Sequence, residues 1–578
     1  MKYRLIVLLA MPLLVLCACN GPDKAPAPSS PAPPAATEPA AHLSSMPHLP
    51  DTVADWARGA MLFEGLGDAH RPITTSSTEA QKYFDQGLRF MWAFNHDEAT
   101  RSFAKSAELD PGCAACYWGV SLTVGPNYNL PFLIEERAKV ATEALGKARQ
   151  HASHATPVEQ ALITALAKRY STAQPFDPAT TKPALIAYAD AMRAVARRFP
   201  RDLDVQTLYA EALMNINAWK LWNLDGEPAP GTEQVVATLE SVLARDPKHP
   251  GANHYYVHAI EASSHPEKAL ASAERLKHAM PAAGHLVHMP AHIMQRIGRY
   301  EEAAEANRKA AVADLDYGRR TQAPDYYPVM YTAHNYQFLA YSTAMQGRRA
   351  ETLAAADNSR RTVSDEMLLA MPGADWYVAE IYAARIRFGL WDDMIAMPAP
   401  NPKLPGLTGA YLYGRALALV AKGRLVEAHT TVGELQQFAA ALPDDAPAGQ
   451  NTLKGVLAIA IPIAEARIAT AEHRSVDAAA LLRKAVSMED RIAYDEPKNW
   501  FFPARHVLGA HLLETNKPAD AEAVYREDLQ QSPANGWALF GLSAALKAQG
   551  KQEEAAEVTR QFDAAWKNAD VVLTGSAY

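Results

Sequence analysis

The sequence predicts an all-α fold, an α-solenoid in which helix-turn-helix repeats follow one another along most of the chain. Small, aromatic and proline residues recur at the spacing of a 34-residue helical repeat. The chain also shows no convincing run of the alternating pattern that marks a strand. With 578 residues, 49% of them hydrophobic, it can bury a large core.

The N-terminus predicts export from the cytoplasm. Basic residues precede an apolar run from Leu5 to Leu16, which has the length of a signal-peptide core and is too short to span a bilayer. The run ends in the letters LCAC, which resemble the lipobox of bacterial lipoproteins, where cleavage leaves the last cysteine to carry the lipid. We expect residues 1–18 to be a lipoprotein signal peptide and Cys19 to be lipidated. The alternative is a plain signal peptide that is cut nearby.

The composition then predicts a tether and a folded body. Residues 19–51 are rich in proline, alanine and serine and form a disordered linker with almost nothing to bury, while residues 52–578 form the solenoid. Asn20 after the lipidated cysteine favours the outer membrane, facing the periplasm. The net charge is −8 and no basic face is evident, so we expect no nucleic-acid partner.

The repeats are clearest at the two ends of the body. Small residues let two helices approach, an aromatic side chain fills the seam between them, and a proline stops the second helix. The N-terminal repeat has these residues at Gly87, Ala99, Phe103 and Pro111. The C-terminal repeat has them at Gly509, Ala521, Tyr525 and Pro533.

These spacings match the tetratricopeptide pattern, and the chain resembles bacterial tetratricopeptide repeat lipoproteins of a long, histidine-containing type. The phrases that carry the resemblance are AFNHDEATRSFAKSAELDP, GANHYYVHAIEAS, AGHLVHMPAHI and YREDLQQSPANGW, and it covers most of residues 80–570. The resemblance implies a solenoid in which the first helix of each repeat lines a concave ligand groove. It implies no reaction, because one fold hosts many functions.

Two neighbouring repeats place histidines at the groove-facing positions. His254 and His258 lie 34 residues before His288 and His292, so the two pairs are in repeat register. A spacing of four residues is about one helical turn, which stacks each pair on one face of its helix. Pro290 falls inside the second pair, so that helix either starts near the proline or is kinked there.

These residues support two interpretations. Imidazoles beside a carboxylate suit Zn²⁺, Cu²⁺ or Fe²⁺, and a site with three of them keeps a position open for water. The alternative is a metal-free groove in which the same histidines bind a peptide. The predicted metal ligands are His254, His258, His288 and His292, joined in a wider set by Glu261, His285 and His334. The groove hypothesis adds Glu211 and His506 to these residues.

Two further stretches bear on the prediction. Cys113 and Cys116 are the only cysteines of the body, and a local disulfide is the favoured interpretation over two small buried thiols or a redox or metal role. The stretch Tyr494–His506 places aromatic residues beside acids and reads as a solvated loop rather than a second polar site.

The sequence therefore favours a membrane-anchored scaffold that binds a peptide, a protein or an envelope ligand in its groove. A metalloprotein with a histidine-rich centre, with or without a reaction, is the alternative. Tyr255 and Tyr256 leave no glutamate between His254 and His258, which excludes the HExxH mechanism of zinc proteases. No Gly-rich phosphate loop and no Gly-x-Ser-x-Gly elbow appears, so nucleotide use and serine hydrolysis have no support and the sequence leans away from an enzyme.

Overall fold

The fold is built from helices. The structure is a computed structural model that describes residues 49–170, 178–321 and 327–578. Within those ranges the only strands are β1 (Pro447–Ala448) and β2 (Asn451–Thr452), which form a short antiparallel hairpin. The predicted signal peptide, the lipidation site Cys19 and most of the predicted tether lie outside the described residues. The first helix begins at Val53, capped by the Thr52 side chain, close to where the folded body was expected to begin.

The helices alternate with short turns along the chain. In the first part they are α1 (Val53–Ala57), α2 (Thr78–Trp92), α3 (His96–Leu109), α4 (Ala114–Thr123), α5 (Glu135–His151), α6 (Pro157–Arg169), α7 (Pro178–Arg198), α8 (Leu203–Met214), α9 (Thr232–Arg245), α10 (Pro250–Ile260), α11 (Leu270–Leu276), α12 (Gly284–His288), α13 (Pro290–Arg296) and α14 (Tyr300–Thr321). Short 3₁₀ turns occupy Ala152–His154, Asn215–Asn217 and Pro266–Ala269, and a π-helix spans Pro328–Thr332.

The second part continues the same arrangement. Its helices are α15 (Ala333–Ala344), α16 (Arg349–Thr362), α17 (Asp365–Ala370), α18 (Ala374–Tyr377), α19 (Glu380–Arg387), α20 (Trp391–Ala396), α21 (Pro405–Ala421), α22 (Leu425–Ala441), α23 (Leu453–Ala471), α24 (Ser475–Glu489), α25 (Ala504–Glu514), α26 (Pro518–Gln531), α27 (Gly536–Ala548) and α28 (Gln552–Ala565). Most consecutive helices pack on each other, so the predicted all-α solenoid of helix pairs is confirmed.

Glycines let the helices of the predicted repeats approach closely. The Phe103 ring of α3 is fully buried between Gly87 of α2 and Gly119 of α4. A Cβ atom would lie 2.7 Å from that ring at Gly87 and 2.5 Å at Gly119, so neither position can carry a side chain without moving it. The C-terminal repeat uses the same packing, with Tyr525 between Gly509 and Gly541. The spacing of glycine and aromatic residues in the sequence thus reflects aromatic rings that pack directly against glycine on two neighbouring helices.

The histidine-bearing repeats depart from a regular helix pair at Pro290. Helix α12 ends at His288 and α13 begins at Pro290, with Met289 between them. Proline has no N–H to donate and is tolerated at the first position of a helix, so the break falls where the residue requires it. His288 and His292 therefore lie on two consecutive short helices. Their ring centroids remain 4.5 Å apart across the break.

The favoured disulfide is present. Cys113 and Cys116 form it at the start of α4, where the Cys113 sulfur also accepts the Cys116 N–H at 3.1 Å.

Two large apolar clusters, centred on the N-terminal and C-terminal parts of the body, account for most of the core. Among the described residues, no helix combines the length and the apolar character needed to cross a bilayer.

Candidate metal centre

Six histidines converge in the interior of the body. His254 and His258 come from α10, His285 and His288 from α12, His292 from α13 and His334 from α15. Five of them are at most 2% exposed, and His334 is half-buried. The register seen in the sequence therefore brings the two pairs together, and the helix break at Pro290 does not separate them.

One group of three contains His254, His258 and His285. The Nδ1 atom of His254 is bonded to the main-chain oxygen of Trp92, and its Nε2 atom lies 3.2 Å from Nε2 of His285. Because a carbonyl oxygen only accepts, Nδ1 of His254 carries the proton and its Nε2 presents a lone pair. His258 donates from Nδ1 to Oε1 of Glu261 at 2.8 Å, so its Nε2 also presents a lone pair.

A second group contains His288, His292 and His334. The Nδ1 atom of His288 lies 2.7 Å from Oδ1 of Asn307, whose amide nitrogen donates to the main-chain oxygen of Ala303. That second bond fixes the orientation of the amide, so His288 carries its proton on Nδ1. Its Nε2 atom lies 2.6 Å from Nε2 of His292. The His334 ring lies 5.0 Å from that of His288, centroid to centroid.

Two carboxylates lie between and beside these groups. Oε2 of Glu261 is 2.7 Å from Nδ1 of His292, and Oε1 of the same residue accepts from His258. Glu496 reaches His292 Nδ1 through Oε2 and accepts from the Tyr494 hydroxyl through Oε1. Glu261 is 1% exposed and Glu496 3% exposed. Both are therefore buried charges that need a positive partner.

The position of Glu496 corrects one prediction from the sequence. The stretch Tyr494–His506 was expected to be a solvated loop, yet Asp495, Glu496 and Asn499 are all buried. Asp495 is held by the Tyr377 hydroxyl, the Asn499 amide and the main chain at Gln450, which fixes the loop over the histidines. Its burial follows because aromatic residues of the same stretch pack into the core, as at Trp500 and Phe501.

Aromatic side chains enclose the cluster. Phe94 stacks on His258 and His285 with centroid distances of 5.4 and 5.7 Å, and Phe338 lies 4.6 Å from His288. Tyr128 lies 5.2 Å from His258. Apolar walls of this kind exclude water and strengthen electrostatic interactions inside the site.

Burial and charge divide the histidines into two protonation classes. Burial, followed by the charge on His292, lowers the pKa of His258 and of His334 to about 3. Burial also holds the pKa values of His254, His285 and His288 well below the usual range. His292 is the exception, because the charges of Glu496 and Glu261 overcome the effect of burial and raise its pKa to about 10. Five of the rings are thus in the neutral form that a metal requires.

Several ligand atoms of the cluster are buried without a hydrogen bond from any described residue. They are His258 Nε2, His285 Nδ1, His292 Nδ1, Glu261 Oε2 and Glu496 Oε2. Three of these atoms form an ion pair with one another, because Oε2 of Glu261 and Oε2 of Glu496 both lie against Nδ1 of His292. His258 Nε2 and His285 Nδ1 are left without a hydrogen-bond partner among the described residues. Most buried polar atoms in proteins are hydrogen-bonded, so two such nitrogens in one cluster favour a bound ligand.

The residues present fit a transition metal in three overlapping sets. His254, His258 and His285 form one set, and His288, His292 and His334 form another. The third set combines His258 and His292 with Glu261. In each set one ligand atom per residue lies within 4.8 Å of the others. Imidazole nitrogen with or without carboxylate oxygen suits zinc, copper and iron.

Two predicted groove residues lie in other environments. Glu211 is buried on α8, where it accepts a hydrogen bond from Asn215. His506 on α25 is fully buried between Arg387, at 2.9 Å, and Asp528, at 2.9 Å. The structure places neither beside the six histidines through a hydrogen bond or ion pair among the described residues.

The expectation of an open groove also needs correction. Its predicted lining residues are buried rather than facing solvent, except for the half-buried His334. Glu496 and the ring of Tyr128 pack against the histidines of the cluster. The relevant site is therefore an interior cluster. Glu496, Asn307 and Tyr128 belong to it and were missed from the sequence. The acids placed among aromatics at Tyr494–His506 were the one signal that could have indicated Glu496.

The site thus belongs to an all-α helical-repeat protein with a buried histidine and carboxylate cluster. No family model and no curated protein matches the sequence. Human IFIT1 as a dimer with m7Gppp-AAAA is similar in structure, with 12% identity, 78% of this chain and 90% of that chain covered, and a TM-score of 0.33. Yeast Tom70 is similar with 12% identity, 83% of this chain and 99% of that chain covered, and a TM-score of 0.31. Likeness at this level carries no argument about the site.

Proposed function

We propose that this chain is a metal-binding helical-repeat protein whose buried histidine cluster holds a divalent transition metal. One observation carries the proposal. Ring nitrogens of neighbouring histidines face one another, with Nε2 of His254 3.2 Å from Nε2 of His285 and Nε2 of His288 2.6 Å from Nε2 of His292. The main-chain oxygen of Trp92 and Oδ1 of Asn307 hold the protons of His254 and His288 on their outer nitrogens, so the inner nitrogens of these two rings carry lone pairs that a metal ion can accept. Outer nitrogens held in this way are typical of metal-ligating histidines.

The donor set supports zinc, copper or iron as the class of metal. Imidazole is a ligand of intermediate softness that all three accept, and the order of affinities favours copper over the other two. An ion with three protein nitrogens keeps a position for water or another small ligand, which would supply Lewis-acid chemistry. The residues supply binding and orientation, and we propose no reaction.

The cellular setting we propose rests on the sequence. The basic start, the apolar run and the LCAC letters support export and lipidation at Cys19, with the body held at the outer membrane and facing the periplasm.

A scaffold that binds a peptide, a protein or an envelope ligand is the second candidate function. It is supported by the stacked helix pairs, because helical repeats present extended surfaces to partners. Because the predicted groove histidines are buried, we expect such a partner to bind at another face of the solenoid. Capture of an envelope partner from detergent-solubilised membranes, lost when surface residues of one face are changed together, would support this candidate.

The proposal is tested by metal analysis of protein purified without a histidine tag. We expect stoichiometric zinc, copper or iron in the wild type and its loss in the double variant that combines His258→Ala with His292→Ala. His265→Ala is the matched control, because the His265 side chain is 63% exposed and lies outside the cluster. Circular dichroism checks that each variant is folded.

A second measurement keeps the test independent of those variants. Wild-type protein treated with a chelator should melt at a lower temperature and should regain its stability when Zn²⁺ is added, because a ligand that binds only the folded state stabilises it. A folded wild type that contains no metal and whose melting temperature does not respond to Zn²⁺, Cu²⁺ or Fe²⁺ would refute the proposal.

A further inference from the structure

The six histidines divide into two groups of three that do not share a ring. One group is His254, His258 and His285, and the other is His288, His292 and His334. The ligand nitrogens of each group lie within 4.8 Å of one another. The groups adjoin, since the His258 and His292 ring centroids are 5.5 Å apart and those of His285 and His288 are 5.8 Å apart.

The spacing within each group fits a separate ion. Two nitrogens bound tetrahedrally to zinc at about 2.0–2.1 Å lie about 3.3 Å from each other. The Nε2 atoms of His254 and His285 are 3.2 Å apart, which matches that edge. The Nε2 atoms of His288 and His292 are 2.6 Å apart, so that pair must open by about 0.7 Å to hold an ion.

The outer partners are also divided between the groups. The main-chain oxygen of Trp92 holds His254, and Asn307 holds His288. Glu261 serves both groups, with Oε1 on Nδ1 of His258 and Oε2 beside Nδ1 of His292. A carboxylate that orients one imidazole of each group is placed as a link between two centres, and its charge lowers the cost of two neighbouring cations.

We propose that the cluster is a two-ion centre, with one transition-metal ion in each trihistidine group and with Glu261 as the outer link between them. This inference rests on the proposed metal-binding function. Each ion would have three imidazole nitrogens and one position left for water or another small ligand. The competing arrangement is a single ion bound by His258, His292 and Glu261, which uses ligands from both groups.

The first experiment counts Zn²⁺ ions per chain in full-length protein by equilibrium dialysis and elemental analysis. We expect two ions in the wild type and one in each of the variants His285→Ala and His334→Ala, which each remove one ligand from one group. These positions are chosen because each belongs to one trihistidine group only and neither is a ligand in the competing arrangement of His258, His292 and Glu261. Circular dichroism checks that both variants are folded. His265→Ala should keep two ions.

Each outcome decides between the arrangements. One ion in the wild type would overturn the two-ion centre and leave the metal-binding function in place. No ion in the wild type would overturn both. Two ions in the wild type and in both variants would overturn the assignment of the ions to these groups.

A second experiment uses wild-type protein alone and therefore does not depend on the variants folding. Electron paramagnetic resonance is measured after loading with two equivalents of Cu²⁺. Adjacent ions should couple, so we expect a loss of integrated intensity or a half-field transition. A spectrum with the full intensity of two isolated Cu²⁺ ions and no half-field signal would overturn the adjacency that the geometry requires.

Discussion

Replacing Asn307 by leucine should weaken metal binding and folding by separate, measurable amounts. Oδ1 of Asn307 accepts the Nδ1 proton of His288 at 2.7 Å, and its amide nitrogen donates to Ala303 at 2.7 Å. The side chain is fully buried on α14. Leucine has a similar volume, so Asn307→Leu removes the acceptor and leaves the packing nearly unchanged.

The expected magnitudes follow from what is left behind. The Nδ1 proton of His288 would be buried without an acceptor, which costs about 1–3 kcal/mol of folding free energy. Loss of an outer partner of a metal-ligating histidine lowers metal affinity about 10–100-fold, which corresponds to about 1.4–2.7 kcal/mol. Asn307→Leu should therefore show both effects, because the freed ring can rotate or change tautomer.

Two assays separate these effects. Urea unfolding of metal-free protein gives the folding cost, and competition for Zn²⁺ against a chromophoric chelator gives the affinity. Thr343→Val is the control, since it removes a buried hydroxyl bonded to Thr352 at 2.9 Å on another part of α15 and α16. We expect it to destabilise the fold without changing the zinc affinity. A destabilised Asn307→Leu protein with wild-type zinc affinity would refute the assignment of His288 as a ligand.

Three further predictions concern packing, pH and membrane attachment. Gly119→Ala should destabilise the fold by about 1–2 kcal/mol in urea unfolding, because its Cβ would lie 2.5 Å from the Phe103 ring. Gly146→Ala, on an exposed part of α5, is the control and should be neutral or stabilising in the same assay. Burial raises the pKa of Glu380 to about 8, so the folded chain keeps a proton that the unfolded chain releases near pH 4.5, and stability falls as pH rises between those values. Glu380→Gln should remove this fall. The difference in unfolding free energy between the variant and the wild type should therefore be larger at pH 8 than at pH 5 by at least about 1.4 kcal/mol, and equal pH profiles of the two proteins would contradict this expectation. Cys19→Ala should move the protein from the membrane pellet to the soluble fraction after cell lysis, and an unchanged distribution would reject lipid anchoring.

The helix pairs could be predicted from the sequence because each packing requirement is local. Gly87 and Phe103 are 16 residues apart, and their spacing within one repeat already specifies that a ring packs on a bare helix. The register of the two histidine pairs follows from the same repeat length. The approach of His254 and His258 to His288 and His292 could therefore also be predicted from the sequence.

The closure of the site could not be predicted in this way. Glu496 reaches His292 from about two hundred residues further along the chain, and the repeat pattern says nothing about such a contact. Tyr128 and Asn307 likewise join the cluster through tertiary packing. The predicted groove was based on a regular repeat, in which first-helix positions face solvent. Loops that fold over that face turned it into an interior.

The most direct test of a buried metal centre is a crystal structure of protein isolated from its native host without an affinity tag, with diffraction recorded at the zinc, copper and iron absorption edges. We expect anomalous density at coordinating distance from the ring nitrogens of the six histidines, His254, His258, His285, His288, His292 and His334. Well-ordered rings joined to each other directly by hydrogen bonds, with no anomalous density between them at any edge, would rule out a buried metal centre.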